Sequence, residues 1–222
     1  MKIKGAIFDM DGTLLDSLGF WNIAWSKVGE KYLGDPSFYP TEEEDKAVRT
    51  MFMQEAMDYI YGIYGFGSSS AELYNELNEL IDDFYLNTAK LKNGACELLD
   101  YLKNSNKKIC IASATERPFI EKVAKNLGIF NYFDKIFSCA DIGKSKDVPD
   151  IYNNAAEFMG YSADDICVFE DSALAISTAK KAGFKTVGIY DQYNYGQDII
   201  RKNADIYIDE NESLKKIIGM IK

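Results

Sequence analysis

Three stretches of this sequence place chemically capable side chains directly after short apolar runs: Asp9-Met-Asp11-Gly-Thr13, Ser113-Ala-Thr115 and Glu170-Asp171-Ser172. If the runs are strands of one sheet, Asp9, Asp11, Glu170 and Asp171 meet at one rim with a hydroxyl beside them. Carboxylates that close repel one another and hold their protons more tightly unless a cation sits among them. The donors are all oxygen, with no histidine anywhere and no cysteine nearby. Such a set suits a hard divalent cation, Mg²⁺ ahead of Ca²⁺ or Mn²⁺. Taken singly, Asp11-Gly12 reads equally as a turn and Glu170-Asp171 as a helix N-cap; recurrence at three run ends favours the cation. An anionic substrate there needs a positive partner. Lys146, in Ser145-Lys-Asp-Val-Pro-Asp150 just ahead of a helical pattern, offers a compact point charge suited to phosphate oxygens. Lys144, two residues earlier, is the competing choice.

Absences narrow the chemistry further. Without an imidazole there is no Ser-His-Asp or Cys-His nucleophile, no His-ligated zinc and no phosphohistidine. The 222 residues carry 25 Lys plus Arg against 35 Asp plus Glu, a net charge of −10, which disfavours nucleic acid and anionic membrane as partners. Hydrophobic residues make up 47%, enough for a folded globular protein with a sizeable core. Cys96, Cys110, Cys139 and Cys167 are far apart; Cys110 and Cys167 lie inside apolar runs, where a thiol behaves as a small buried hydrophobe. No stretch approaches the roughly 18 apolar residues of a membrane span, and the N-terminus has no signal-peptide pattern. A soluble, cytoplasmic protein, monomeric or weakly dimeric, is expected.

The elements that must position these residues are short. Apolar runs at 3–8, 109–112, 136–137, 166–169, 186–190 and 206–208 have strand length, several apolar at successive positions as in strands buried on both faces. Helical patterns at 119–127, 151–159 and 174–182 separate them, with Gly128 and Gly183 where helix C-terminal glycines belong. The fold class is therefore α/β, a Rossmann-like parallel-sheet core. Residues 17–87 read as an all-helical insertion between 1–16 and 88–222. Phe20, Ile23, Ala24 and Val28 form one stripe there, with Trp21 and Trp25 beside it. Thr41-Glu-Glu-Glu44 has the capping-box pattern and opens a helix carrying Val48, Met51, Phe52, Ala56, Tyr59 and Ile60. Leu73, Leu77, Leu80, Ile81 and Phe84 make a third stripe after a loop at 61–70.

Asp9-Met-Asp-Gly-Thr13 resembles the D-x-D-G-T motif of the haloacid dehalogenase superfamily of phosphohydrolases. Ser113 matches that superfamily's second motif, Lys146 the K-x-x-P-D third and Glu170-Asp171-Ser172 the E-D-S fourth, in the right order and over essentially the whole chain. The helical insertion is similar to the family's small α-helical cap. The resemblance implies a phosphoric monoester hydrolase acting on a small phosphorylated metabolite. Asp9 would be the nucleophile that forms an aspartyl-phosphate. Asp11 would protonate the leaving oxygen and then activate water. Mg²⁺ would be held by Asp9, the Asp11 carbonyl and Asp171, with Glu170 a direct or water-mediated ligand. Ser113 and Lys146 would hold the phosphoryl oxygens, with backbone N–H groups at Gly12 and Ala114. Two positions depart from the pattern: Asp147 stands where proline commonly follows the lysine, and Ala175 where glycine is usual.

A sugar-phosphate mutase like β-phosphoglucomutase is the alternative within the family. Such mutases carry a cap histidine and a cap arginine, where this chain has Phe20-Trp21-Asn22 and Met51-Phe-Met-Gln-Glu55, with Arg49 nearby but out of register. An alternative of another class is a phospho-accepting signalling domain, against which stand the helical insertion, the second aspartate of D-x-D and the chain length.

Overall fold

The computed structural model describes all 222 residues. Six strands, β1 (Gly5–Phe8), β2 (Lys108–Ser113), β3 (Lys135–Ser138), β4 (Ile166–Glu170), β5 (Lys185–Ile189) and β6 (Ile206–Ile208), form one sheet in the order β3-β2-β1-β4-β5-β6. Every pairing is parallel. The two central strands are buried along their whole length, which is why their sequences are apolar at successive positions rather than alternating. Phe8 and Phe169 are register partners on β1 and β4, and their rings stack 4.2 Å apart just below the rim. Cys110 and Cys167 are buried in strands, and all four thiols are free. No helix is long and apolar enough to cross a membrane.

The chain divides into two compact units, Met1–Leu18 with Ala89–Lys222, and Gly19–Thr88. The second is all helical: α1 (Phe20–Leu33), α2 (Glu42–Val48), α3 (Met53–Tyr64) and α4 (Ser70–Asn87). In it the buried Phe66 packs against the half-buried Phe38 and Tyr64, with ring centroids 5.1 to 5.2 Å apart. Two expectations are corrected there. The single helix expected after Thr41 is two helices. Thr41 does form its capping box with Glu44. Val48 and Ala47 then accept tight turn bonds from Met51 and Thr50, and the Glu55 carboxylate accepts the Phe52 N–H to start a second helix. The stripe on α1 is also rotated: Trp25 is buried and Ile23 is 49% exposed. Gly29 explains the rotation, since a Cβ there would lie 2.2 Å from the Phe38 Cβ; the glycine admits the following turn against that side of the helix.

The first unit surrounds its sheet with α5 (Ala95–Asn104), α6 (Arg117–Asn126), α7 (Cys139–Ile142), α8 (Asp150–Met159), α9 (Ala173–Lys181) and α10 (Gln197–Asn203). Of these, α5 buries a clear stripe of Ala95, Leu98, Leu99 and Leu102, a helix not among those expected from the sequence. Where the chain leaves and re-enters this unit, residues 14–16 and 90–92 run side by side: Asp16 N–H donates to the Lys90 carbonyl at 2.9 Å and Lys92 N–H to the Leu14 carbonyl at 2.8 Å.

Candidate active site

β1 is flanked by β2 and β4, so its carboxyl end opens where the strand order reverses direction, the position at which open α/β sheets bind ligands. Asp9 follows β1, with its N–H donating to the Phe169 carbonyl at 3.0 Å. Glu170 ends β4 and Asp171 follows it. Carboxylate oxygens of Asp9, Glu170 and Asp171 all lie within 4.8 Å of one another, and all three residues are buried. Gly12 closes the turn beneath them at φ +78°; a Cβ there would stand 2.2 Å from Asp171 Oδ2, so only glycine lets the backbone come this near.

Lys146 is the one cation among these acids. Its Nζ donates to Asp9 Oδ1 and Glu170 Oε1, both at 2.5 Å. Burial pushes the ammonium toward losing its proton, but attraction to Asp9 and Glu170 outweighs it and holds Lys146 well above the usual lysine range. Burial lifts Glu170 to about 7 although Lys146 opposes it. Burial also lifts Asp171 well above the ordinary aspartate range, aided by repulsion from Asp9, Glu170 and Asp191. One ammonium thus leaves three buried carboxylates short of positive charge.

Asp11 stands apart from this group. Its Oδ1 accepts a hydrogen bond from Ser17 Oγ and its Oδ2 one from Thr115 Oγ1, each at 2.7 Å. Three residues past the end of β1, it is on the turn rather than on the pleat, and each of its carboxylate oxygens accepts from a hydroxyl. The sequence had grouped all four acids; the structure groups three. Ser113, last in β2, is buried at the same rim, where its Oγ accepts the Thr115 N–H at 3.2 Å; Ala114 follows it. Lys144 is exposed and pairs with Asp150, leaving Lys146 alone at the acids. Asp147 is exposed and bonded to Ser145 Oγ. Ala175 is buried within α9.

Several partners were not singled out from sequence. Thr13 Oγ1 donates to Asp171 Oδ1 at 2.9 Å. Asn194 Nδ2 donates to Asp171 Oδ2 at 2.7 Å. Tyr152, fully buried on α8, donates its hydroxyl to Glu170 Oε1 at 3.2 Å. Thr13 belongs to the first stretch and needed only a role. Asn194 lies four residues past the fifth apolar run, so the strand-end rule that selected the acids points to its loop without singling it out. Tyr152 had no signal beyond its place in a helical stripe.

The model of the haloacid dehalogenase-like hydrolase family matches residues 3–183. The chain is a haloacid dehalogenase-like hydrolase. This hydrolase is 28% identical over 218 residues to the β-phosphoglucomutase of Bacillus subtilis (strain 168), covering 93% of each chain. It is 25% identical over 214 residues to a phosphorylated carbohydrates phosphatase of Thermotoga maritima, covering 96% of this chain and 97% of that one. Its fold matches the crystal structure of CbbY from Rhodobacter sphaeroides in complex with phosphate at a TM-score of 0.77, with 20% identity over 97% of this chain and 96% of that one. As a hydrolase with an all-oxygen, buried and under-neutralised group at Asp9, Glu170 and Asp171, it has residues that fit a divalent metal ion.

Proposed function

We propose that this hydrolase is a Mg²⁺-dependent phosphatase that cleaves a small phosphorylated metabolite through an aspartyl-phosphate on Asp9. The observation that carries the reading is the different surroundings given to Asp9 and Asp11. Asp9 lies in the buried acidic group beside Lys146, while Asp11 is held by two hydroxyls outside it. Two aspartates so placed can divide nucleophile from proton carrier.

An Asp9 carboxylate oxygen attacks phosphorus, and the bond from phosphorus to the leaving oxygen breaks. Asp11 gives its proton to that oxygen. Asp11, now ionised, takes a proton from water; the hydroxide attacks phosphorus, the acyl-phosphate bond breaks and Asp9 is regenerated with release of inorganic phosphate. Lys146 exchanges a carboxylate partner for a phosphoryl oxygen, which Ser113 and the backbone N–H of Ala114 help to hold; the Gly12 N–H, expected from the sequence to join them, instead donates to the Leu15 carbonyl at 3.0 Å and to Ser17 Oγ at 3.3 Å, closing its own turn. Asp9, Asp171 and Glu170, with the Asp11 carbonyl, would bind the Mg²⁺. The bound cation supplies the positive charge that lets an anionic nucleophile meet an anionic substrate.

Relatives of similar identity carry both mutase and phosphatase names, so the choice between the two rests on this chain's own residues. A mutase must bind a bisphosphate by its second phosphate. There is no histidine for the family's cap position. Arg49, the nearest cap arginine, donates to the buried Asp45 at 2.8 Å, an internal tie of the helical unit. The test is product analysis by NMR with a hexose 1-phosphate and a panel of phosphorylated metabolites, with and without a bisphosphate primer. Release of inorganic phosphate is expected, lost by at least about 10³-fold in Asp9→Asn with the fold intact, since an amide is a poor nucleophile. Primer-dependent isomerisation faster than phosphate release would replace this reading with the mutase.

A further inference from the structure

Beyond the acids themselves, the loop between β5 and α10 has the build of a support. Asp191 is buried, and its Oδ2 accepts from Lys92 Nζ at 2.8 Å; the same ammonium donates to the Tyr190 carbonyl at 2.9 Å. The other Asp191 oxygen accepts the Tyr193 N–H at 2.9 Å, and the Asp191 carbonyl accepts from Gln197 Nε2 at 2.9 Å and from the Asn194 N–H at 3.1 Å. Gln197 is fixed in turn by the Tyr207 hydroxyl at 2.9 Å. A loop tied at its start, middle and end has little freedom left. From this loop the Asn194 side chain hydrogen-bonds the acidic group, while the buried Asp191 carboxylate lies near enough to repel Asp171.

The amide of Asn194 has one usable orientation. Its Oδ1 accepts the Tyr195 N–H at 3.0 Å, so Nδ2 faces Asp171, donating to the backbone carbonyl at 2.9 Å and to Oδ2 at 2.7 Å. Thr13 Oγ1 meets the opposite oxygen, Oδ1, at 2.9 Å. The Asp171 carboxylate is thereby gripped at both oxygens, and the absent Cβ of Gly12 leaves room for Oδ2 between turn and amide. A neutral donor on each oxygen fixes the plane of a carboxylate without neutralising it, and leaves a lone pair on each for a cation.

We infer that Asn194 is a positioning residue for the metal site, holding the Asp171 carboxylate in the orientation that binds the cation, with the Lys92–Asp191 pair as its anchor. The inference rests on the metal-dependent reading above. Groups bonded to a metal's ligands typically set 10- to 100-fold of its affinity, so Asn194→Ala should raise the Kd for Mg²⁺ about tenfold or more. Turnover in that variant should return when Mg²⁺ is raised, with KM for the phosphorylated substrate at saturating metal within about twofold of wild type.

The deciding measurement is Mg²⁺ titration of chelator-stripped full-length protein by calorimetry and by thermal shift, which needs no substrate. Wild type, Asn194→Ala, Asn194→Ser, Asp171→Asn and the Asn194→Ala/Asp171→Asn double variant are compared, with Asn154→Ala on the exposed face of α8 as control. Asn194→Ser keeps a short donor; it should fall between wild type and alanine, and it carries the test alone if the alanine variant does not fold. In the Asp171→Asn background, removing the Asn194 amide should change Mg²⁺ affinity by less than about twofold, because its effect runs through the Asp171 carboxylate. Wild-type Mg²⁺ affinity in the folded Asn194 variants, or full additivity in the double variant, overturns the inference alone. No Mg²⁺ binding by the wild-type protein overturns the metal reading and the inference together.

Discussion

Asp9 and Asp11 share a functional group and sit two residues apart, yet one faces carboxylates and an ammonium and the other faces hydroxyls. The buried group makes a prediction about pH. Glu170, lifted by burial to about 7 from an ordinary 4.5, and Asp171, lifted in the same direction, bind a proton more tightly in the folded chain than in the unfolded one. Between pH 4.5 and about 7 the folded state therefore carries the extra protons, and stability falls as pH rises through that window. With no histidine in the chain, few other groups titrate there. Metal-free protein should lose Tm steadily from pH 5 to 7.5, and saturating Mg²⁺ should remove most of that slope; a flat profile in chelator would contradict the uncompensated charge. A second residue-scale prediction concerns Gly12. Its left-handed backbone costs any other residue roughly 1–2 kcal/mol, and a methyl group would collide with Asp171 Oδ2. Gly12→Ala should lower stability by at least that amount in denaturant titration and weaken Mg²⁺ binding, while Gly62→Ala, where a Cβ meets nothing within 4 Å, should do neither.

At the scale of elements, the site is assembled by register. Phe8 opposite Phe169 sets Asp9 opposite Glu170, so adjacent parallel strands deliver their acids at the same height. The helical unit is ruled by local end signals instead. Its first stripe and its second helix depart from simple 3.6-residue spacing because packing against Gly29 and a new N-terminus at Phe52 override it. The capping box at Thr41 was legible, because both of its bonds are made by residues three apart. Thr41→Ala should cost about 1 kcal/mol, a shift of roughly 2–4 °C in the calorimetric Tm of a chain this long. Mg²⁺ affinity should be unchanged, since the loss is confined to α2.

For the whole molecule, an acidic chain that buries three carboxylates together stores repulsion in its folded state, which a bound cation relieves. Mg²⁺ at about 100 times its Kd should stabilise the protein by roughly 2.7 kcal/mol, seen as a rise in Tm that EDTA reverses. Asp171→Ala should abolish most of that rise while leaving the metal-free protein as stable as wild type or more so, because one buried charge has been removed. A metal-induced shift of equal size in Asp171→Ala would mean that the cation binds elsewhere.

The sequence by itself determined the sheet. Six apolar runs of strand length, separated by helical patterns, have one economical solution, and all six runs are strands. It also determined which residue types stand at the strand ends, and with them the family, because Asp9-Met-Asp-Gly-Thr13 and its companion motifs are local in the chain. Tertiary structure alone decided how those ends are shared out. That Asp11 turns to Ser17 and Thr115, that Lys146 spans Asp9 and Glu170, and that Tyr152 and Asn194 reach the acids all join residues up to 137 positions apart or set turn geometry that periodicity does not encode. The physical reason is range. Burial periodicity and end caps are fixed within a few residues, whereas the partner of a buried polar group is chosen by whichever donor the packed sheet brings within 3 Å.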